Sequence, residues 1–154
     1  VADLPDNRWR ENRRAGRYLK AIEKASKKHG IPVDVLGALL HRESKFRPGA
    51  ISPSGAIGIA QIVPKFHPDV NPLNPEASID YAAKYLAANL KRFKNPAMAL
   101  AAYNHGPTAV AQYGDKWLQM IPKETKGYVE SIGPLWPPPP PPPLPVQPIL
   151  RNQQ

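Results

Sequence analysis

The sequence predicts a mainly α fold: one helical domain with a short irregular or β segment after the helix that carries Glu43. Three observations lead there. Apolar residues recur at three- and four-residue intervals through most of the chain, which is the signature of amphipathic helices. That period breaks in the interior over Ser52 to Gly58, where Pro, Ser and Gly supply turn chemistry. A chain of 154 residues is of ordinary single-domain length and can bury a real core.

Composition narrows the chemistry. With no cysteine, neither a disulfide framework nor a thiolate metal site can form. His29, His41, His67 and His105 are scattered without ligand-like spacing, so neither a metal nor a cofactor is expected. No apolar run approaches the length of a membrane span. No signal-peptide pattern is legible at the amino terminus, which leaves the compartment open.

In chain order, Asn12 to Lys28 is amphipathic through Ala15, Tyr18, Leu19, Ile22 and Ala25, with Gly30 placed to stop it in a left-handed cap. Much of the formal net charge of +9 gathers in this first helix, at Arg8, Arg10, Arg13, Arg14, Arg17, Lys20, Lys24, Lys27 and Lys28. Such a face either attracts polyanions such as nucleic acid, teichoic acid or anionic lipid, or is simply solvated. Only Trp9 and Tyr18 interleave with it, which weakens a stacking platform for single strands.

Pro32 suits the first turn of the next helix, and Leu36, Leu39, Leu40 and Glu43 share one side of it. A carboxylate thus stands where a leucine is expected. Burial disfavours its charged form and would let it hold a proton near neutrality, as a general acid must. The alternative is a rim residue paired with Arg42, Lys45 or Arg47. The helix ends at the Arg47-Pro48-Gly49 turn, and Ala50-Ile51 is short enough for a brief strand pairing. Gln61 then sits among apolar residues, where its amide either satisfies itself on backbone groups or meets a polar ligand such as a sugar.

Lys65 to Pro75 reads as a surface loop. Asn74-Pro75 opens a helix through Ile79, Ala82, Ala83, Leu86 and Leu90, and Pro96 starts another that Gly106-Pro107 terminates. A short helix over Thr108 to Tyr113 and a last one over Pro122 to Ile132 complete the domain, set at residues 1–134. Residues 135–154 form a proline-rich tail, whose run Pro137 to Pro143 favours an extended polyproline II rod. The rod serves either as a spacer or as a ligand for an aromatic groove, and Trp136 is placed to pack back on the domain.

Four stretches now align in order. They are Glu43-Ser44, the run from Ser52 through Gly55, Ala56, Gly58 and Gln61 to Pro64, then Ala102-Tyr103-Asn104 with Gly106-Pro107, and finally Glu124-Thr125 with Tyr128-Val129. Together they resemble the catalytic domain of the soluble-type (Slt) lytic transglycosylases, a lysozyme-like family that cuts the glycan strands of bacterial peptidoglycan. The resemblance spans roughly residues 21–132.

The resemblance implies a single catalytic carboxyl group. Glu43 would protonate the glycosidic oxygen between N-acetylmuramic acid and N-acetylglucosamine, then accept the proton of the muramic C6 hydroxyl as it attacks C1. The product would be a 1,6-anhydromuramic end, with no water consumed. Ser52, Gln61, Tyr103, Asn104, Glu124 and Tyr128 would line or support the sugar site, and Ser44 would be structural. Ala60 stands where the family often has methionine and is expected to widen a subsite; His105 follows the Ala-Tyr-Asn motif and is expected to face the cleft or water.

Glycoside hydrolysis normally needs a second carboxylate, and Ser44 to His67 contains no Asp or Glu. A hydrolase (muramidase) of this fold would therefore draw on Asp69, Glu76 or Glu124. Non-catalytic glycan or nucleic-acid binding by a basic module is the remaining alternative. The expected partner is peptidoglycan, approached as a monomer, with polyanion contact through the basic helix. The expected setting is the periplasm or cell wall, and the composition also resembles cell-wall-opening modules of tailed-phage virions and endolysins.

Overall fold

The computed structural model describes residues 7–149. The expected domain start at Val1 and the last tail positions, 150–154, lie outside the described residues.

The first helix begins later than its periodicity suggests. Trp9–Glu11 forms a 3-10 turn, and Asn12 leaves it in extended backbone while its Oδ1 accepts from the Arg14 N–H at 2.9 Å. A side chain that bonds its own backbone competes with helix, so α1 spans Ala15–His29. Arg8, Arg10, Arg13 and Arg14 therefore precede the helix, and α1 itself carries Arg17, Lys20, Lys24, Lys27 and Lys28. Gly30 caps it at φ 71°, as expected.

Trp9 does not belong to a basic surface. It is 0% exposed, its Nε1 donates to Asp34 Oδ1 at 3.0 Å, and Arg10 both covers its ring and pairs with Asp34. The space for it comes from α2 (Val33–Ser44), where a Cβ on Gly37 would stand 2.3 Å from the indole.

Helix α2 runs through the core, with Val35, Leu36, Ala38, Leu39 and Leu40 all fully buried. It ends in two consecutive left-handed residues, Lys45 (φ 53°) and Phe46 (φ 60°). Non-glycine residues pay for that conformation; burial of the Phe46 ring, against Trp9 and His41, opposes the cost. The segment that follows holds only isolated antiparallel bridges, Ile51 with Ile57 and Ile57 with Ile62, so the pairing expected at Ala50-Ile51 reduces to Ile51 alone.

Asn74 caps α3 (Pro75–Phe93) by accepting from the Ala77 N–H, and Asn95 caps α4 (Pro96–His105) in the same way. Then come α5 (Pro107–Tyr113), a 3-10 turn at Gly114–Lys116, α6 (Trp117–Met120), which the periodicity does not announce, and α7 (Lys123–Ile132). Helix α3 packs against α1 and α4, α4 also packs on α5 and α7, and α2 touches α1 and α7. After a 3-10 turn at Gly133–Leu135, Trp136 packs on the core and the residues from Pro137 are exposed. Among the described residues no helix is long and apolar enough to cross a membrane.

Candidate active site

Glu43 occupies the last turn of α2, on the face whose other members are buried leucines, and keeps only part of its surface in solvent. Its position depends on how the following loop is pinned. The Ser44 hydroxyl donates to the Ile59 carbonyl at 2.7 Å, with the Leu40 carbonyl a more distant acceptor at 3.2 Å. Ser44 is thus structural, as expected: it ties the loop to the helix one residue from the carboxyl group.

Close approach fixes the rest of the loop. Gly58 has φ 83°, and a Cβ there would stand 2.0 Å from the Pro72 carbonyl oxygen. Its N–H donates to the Ala50 carbonyl at 2.7 Å. Gln61, itself left-handed at φ 51°, uses both amide hydrogens inside the loop, on the carbonyls of Gly58 (2.9 Å) and Ala50 (3.1 Å). Its Oε1 is then the side-chain group left to accept from a ligand. Ala60 is 0% exposed, so its small side chain lies in the core.

Tyr103 and Asn104 reach the site from α4. The Tyr103 hydroxyl donates to the Ala60 carbonyl at 2.8 Å. Asn104 Oδ1 accepts from Thr125 Oγ1 at 2.7 Å, which joins α4 to the first turn of α7. His105 is half-buried and engaged: its Nε2 is 2.8 Å from the Tyr113 hydroxyl and its ring stacks on that tyrosine, because α5 folds back on α4. Ser52 is engaged within its own turn, where its Oγ accepts from the Ala56 N–H at 3.0 Å and lies 2.9 Å from Ser54 Oγ.

Helix α7 supplies the electrostatic partners. Removal from water pushes the Glu43 carboxyl from its ordinary 4.5 up to about 8, and the charge of Glu124 adds to the rise. Tyr128 and, less strongly, Arg42 act in the opposite direction. Tyr128 is 1% exposed, and its hydroxyl completes no hydrogen bond of ordinary geometry. It nonetheless stands close enough to Glu43 that each shifts the other. Tyr103 is also raised, by burial first and then by the Glu43 charge.

Of the three later carboxylates, Glu124 is the one whose charge reaches Glu43. Glu76 sits in the first turn of α3, in a groove against α1, and Asp69 acts on Tyr81. Glu43, Tyr103, Glu124 and Tyr128 therefore converge, while Gln61 is bonded within its own loop and Asn104 to Thr125 of α7. The sequence reading missed the aromatic residues beside Tyr103. Tyr85 contacts it at 5.6 Å between centroids, and Tyr81 and His67 follow. The available signal was the four-residue spacing of Tyr81 and Tyr85, off the apolar stripe of α3.

Residues 20–119 match the family described as Transglycosylase SLT domain. The chain belongs to that family. Among its relatives, the membrane-bound lytic murein transglycosylase C of Actinobacillus pleuropneumoniae serotype 5b (strain L20) is 32% identical, over 66% of this chain and 34% of that protein. The membrane-bound lytic murein transglycosylase F 2 of Alkalilimnicola ehrlichii is also 32% identical, over 68% of this chain and 25% of that protein. The chain thus spans about a third or less of the length of these relatives.

The fold is shared with solved SLT structures. The 70 kDa soluble lytic transglycosylase of Escherichia coli superposes with a TM-score of 0.63 at 29% identity, over 75% of this chain and 22% of that one. An inactive glutamate-to-glutamine variant of Slt from Pseudomonas aeruginosa gives 0.63 at 27% identity, over 73% and 22%. This mainly α SLT domain therefore has the lysozyme-like architecture that its motifs predict.

Proposed function

We propose that this SLT domain is a peptidoglycan lytic transglycosylase in which Glu43 is the single general acid and base. The observation that carries the reading is a carboxyl group held protonated near neutrality, at about 8, at the mouth of a loop braced from two helices.

The chemistry follows from that environment. Protonated Glu43 gives its proton to the glycosidic oxygen as the bond from that oxygen to muramic C1 breaks. The carboxylate left behind is poorly solvated and repelled by Glu124, so it is a strong base for its kind. It takes the proton from the C6 hydroxyl as O6 bonds to C1. The 1,6-anhydro ring closes, no water enters, and Glu43 is protonated again. During the ionised interval the buried Tyr128 hydroxyl is placed to donate to the carboxylate.

The other residues divide the work of binding. Gln61 presents Oε1 to sugar hydroxyl or amide groups, Asn104 has its Nδ2 to offer, and Tyr103 contributes its ring, because its hydroxyl proton is held by Ala60. Ser52 shapes the turn at the rim, and Glu124 keeps Glu43 loaded with its proton. The domain acts as a monomer on wall glycan in the periplasm or cell wall. Virion-borne delivery is compatible with its charge, and Arg17, Lys20 and Lys24 on α1 suit contact with anionic wall polymers.

Mass spectrometry of purified peptidoglycan after incubation with the wild type and with Glu43→Gln tests the reading. The expected result is muropeptides ending in 1,6-anhydromuramic acid, formed by the wild type alone. Reducing ends heavier by about 18 Da, the mass of water, would mean hydrolysis and direct attention to Glu124. No products from several wall types would sink the enzymatic reading.

A further inference from the structure

An exposed phenylalanine precedes in sequence one member of an ordered row of rings. Phe66 is 70% exposed, yet its backbone is fixed: its N–H donates to the Val63 carbonyl at 3.0 Å, and the His67 N–H reaches the same carbonyl at 3.1 Å. His67 is locked in turn. Its Nδ1 lies 2.7 Å from the Tyr81 hydroxyl, and its ring meets Tyr85 edge-on at 4.6 Å. Tyr81 stacks on Tyr85 at 6.3 Å, and Tyr85 contacts Tyr103 at 5.6 Å. The rings run without a gap from Tyr103, beside Glu43, to His67, whose neighbour in the chain is Phe66.

We propose that Phe66 is a stacking platform for a hexosamine ring of the glycan strand, forming a subsite beyond the one at Glu43. This inference rests on the peptidoglycan reading and adds to it a residue that none of the sequence motifs includes.

The physical case has three parts. A β-1,4-linked pyranose carries its hydroxyl, amide and glycosidic groups around the equator, so its two faces are rows of C–H groups. Such a face is apolar and flat, and an aromatic ring covers it with little entropy cost, having only two side-chain torsions to fix. Second, single exposed apolar residues are common on surfaces and by themselves mean nothing; Phe66 differs in having its turn braced through His67 to the wall of the active site. Third, Lys65 Nζ stands over the Phe66 ring, 5.7 Å from its centroid, which leaves the opposite face for the sugar, and burial pushes the His67 imidazole of the brace down.

The test uses the full chain carrying Glu43→Gln, so that ligand survives the measurement. Titration calorimetry with an N-acetylglucosamine tetramer and with peptide-free glycan strands compares Phe66 with Phe66→Ala, Phe66→Leu and Phe66→Trp. The Ala variant is expected to bind about three- to tenfold more weakly. Trp is expected to restore affinity and Leu to fail, because the platform needs a flat ring and not just apolar volume. Thermal midpoints should be unchanged, since the side chain is mostly in water already.

Equal affinity of the Ala variant and its parent, or full rescue by Leu, overturns the subsite. If the parent binds glycan and the active enzyme still makes anhydro ends, the proposed function survives that loss. If the parent neither binds nor, with Glu43 restored, cleaves, both fall together.

Discussion

The hydroxyl of Tyr103 donates to the carbonyl of Ala60 at 2.8 Å, joining positions 43 residues apart, while the hydroxyl of the more deeply buried Tyr128 stands beside the Glu43 carboxyl group. Two tyrosines next to one carboxyl group therefore have different tasks. Tyr103 holds the loop; Tyr128 faces the Glu43 carboxyl group.

Their phenylalanine variants should separate accordingly. Tyr103→Phe leaves the Ala60 carbonyl without its donor and should cost about 1–3 kcal/mol in denaturant unfolding. Tyr128→Phe removes a buried hydroxyl that completes no hydrogen bond of ordinary geometry, so stability should hold or rise while turnover falls. A Tyr128→Phe protein as destabilised as Tyr103→Phe would refute the division.

Activity should depend on pH through Glu43. The acid form dominates below about 8, so kcat/KM should fall on the alkaline side around that value. Glu124 contributes to the rise, and Glu124→Gln should move this limb to lower pH without removing it. An unmoved limb would show that burial alone sets the proton affinity.

Stability should show the cost of holding that group. The folded value of about 8 lies above the ordinary 4.5, so between these values the folded chain holds a proton that the unfolded chain has lost. Stability from this group is intact below 4.5 and declines as pH rises toward 8. Glu43→Gln should therefore be inactive yet more stable at pH 7.5, by up to about 4 kcal/mol by linkage. The gain should shrink as pH falls toward 4.5. Chemical denaturation at both pH values measures it, and a variant less stable than wild type at pH 7.5 would contradict the burial argument.

Packing around Trp9 gives a prediction independent of chemistry. A methyl group at Gly37 would sit 2.3 Å from the indole, with no flexible end to move aside. Gly37→Ala should lose about 1–3 kcal/mol or more in denaturant unfolding, and Trp9 fluorescence should report a more solvated ring. A neutral substitution would mean that the amino-terminal turn is easily displaced.

The Ser44 link can be tested in the same way. Ser44→Ala removes the 2.7 Å bond to Ile59, a buried carbonyl, and should cost about 1–2 kcal/mol. Because that bond holds the loop beside Glu43, kcat should fall along with the melting midpoint; unchanged kcat would detach the loop from catalysis.

By itself the sequence determined the longer helices and their order, though not the short α6, because helical period, proline starts and glycine or asparagine caps act within a few residues. It also singled out Glu43, since one charged residue among Leu36, Leu39 and Leu40 is visible without coordinates, and it carried the four motifs of the family. Boundaries were less legible where a side chain competes with the backbone, as Asn12 does at the start of α1. The tertiary structure alone decided that Trp9 is core, that His105 turns to Tyr113, that Gln61 uses its amide hydrogens inside the loop, and that Glu124 rather than Asp69 or Glu76 acts on Glu43. The physical reason is range. Helical periodicity and capping are local in the chain, whereas desolvation, charge coupling and the choice of hydrogen-bond partner sum over neighbours in space that only the packing of α2, α4 and α7 brings together.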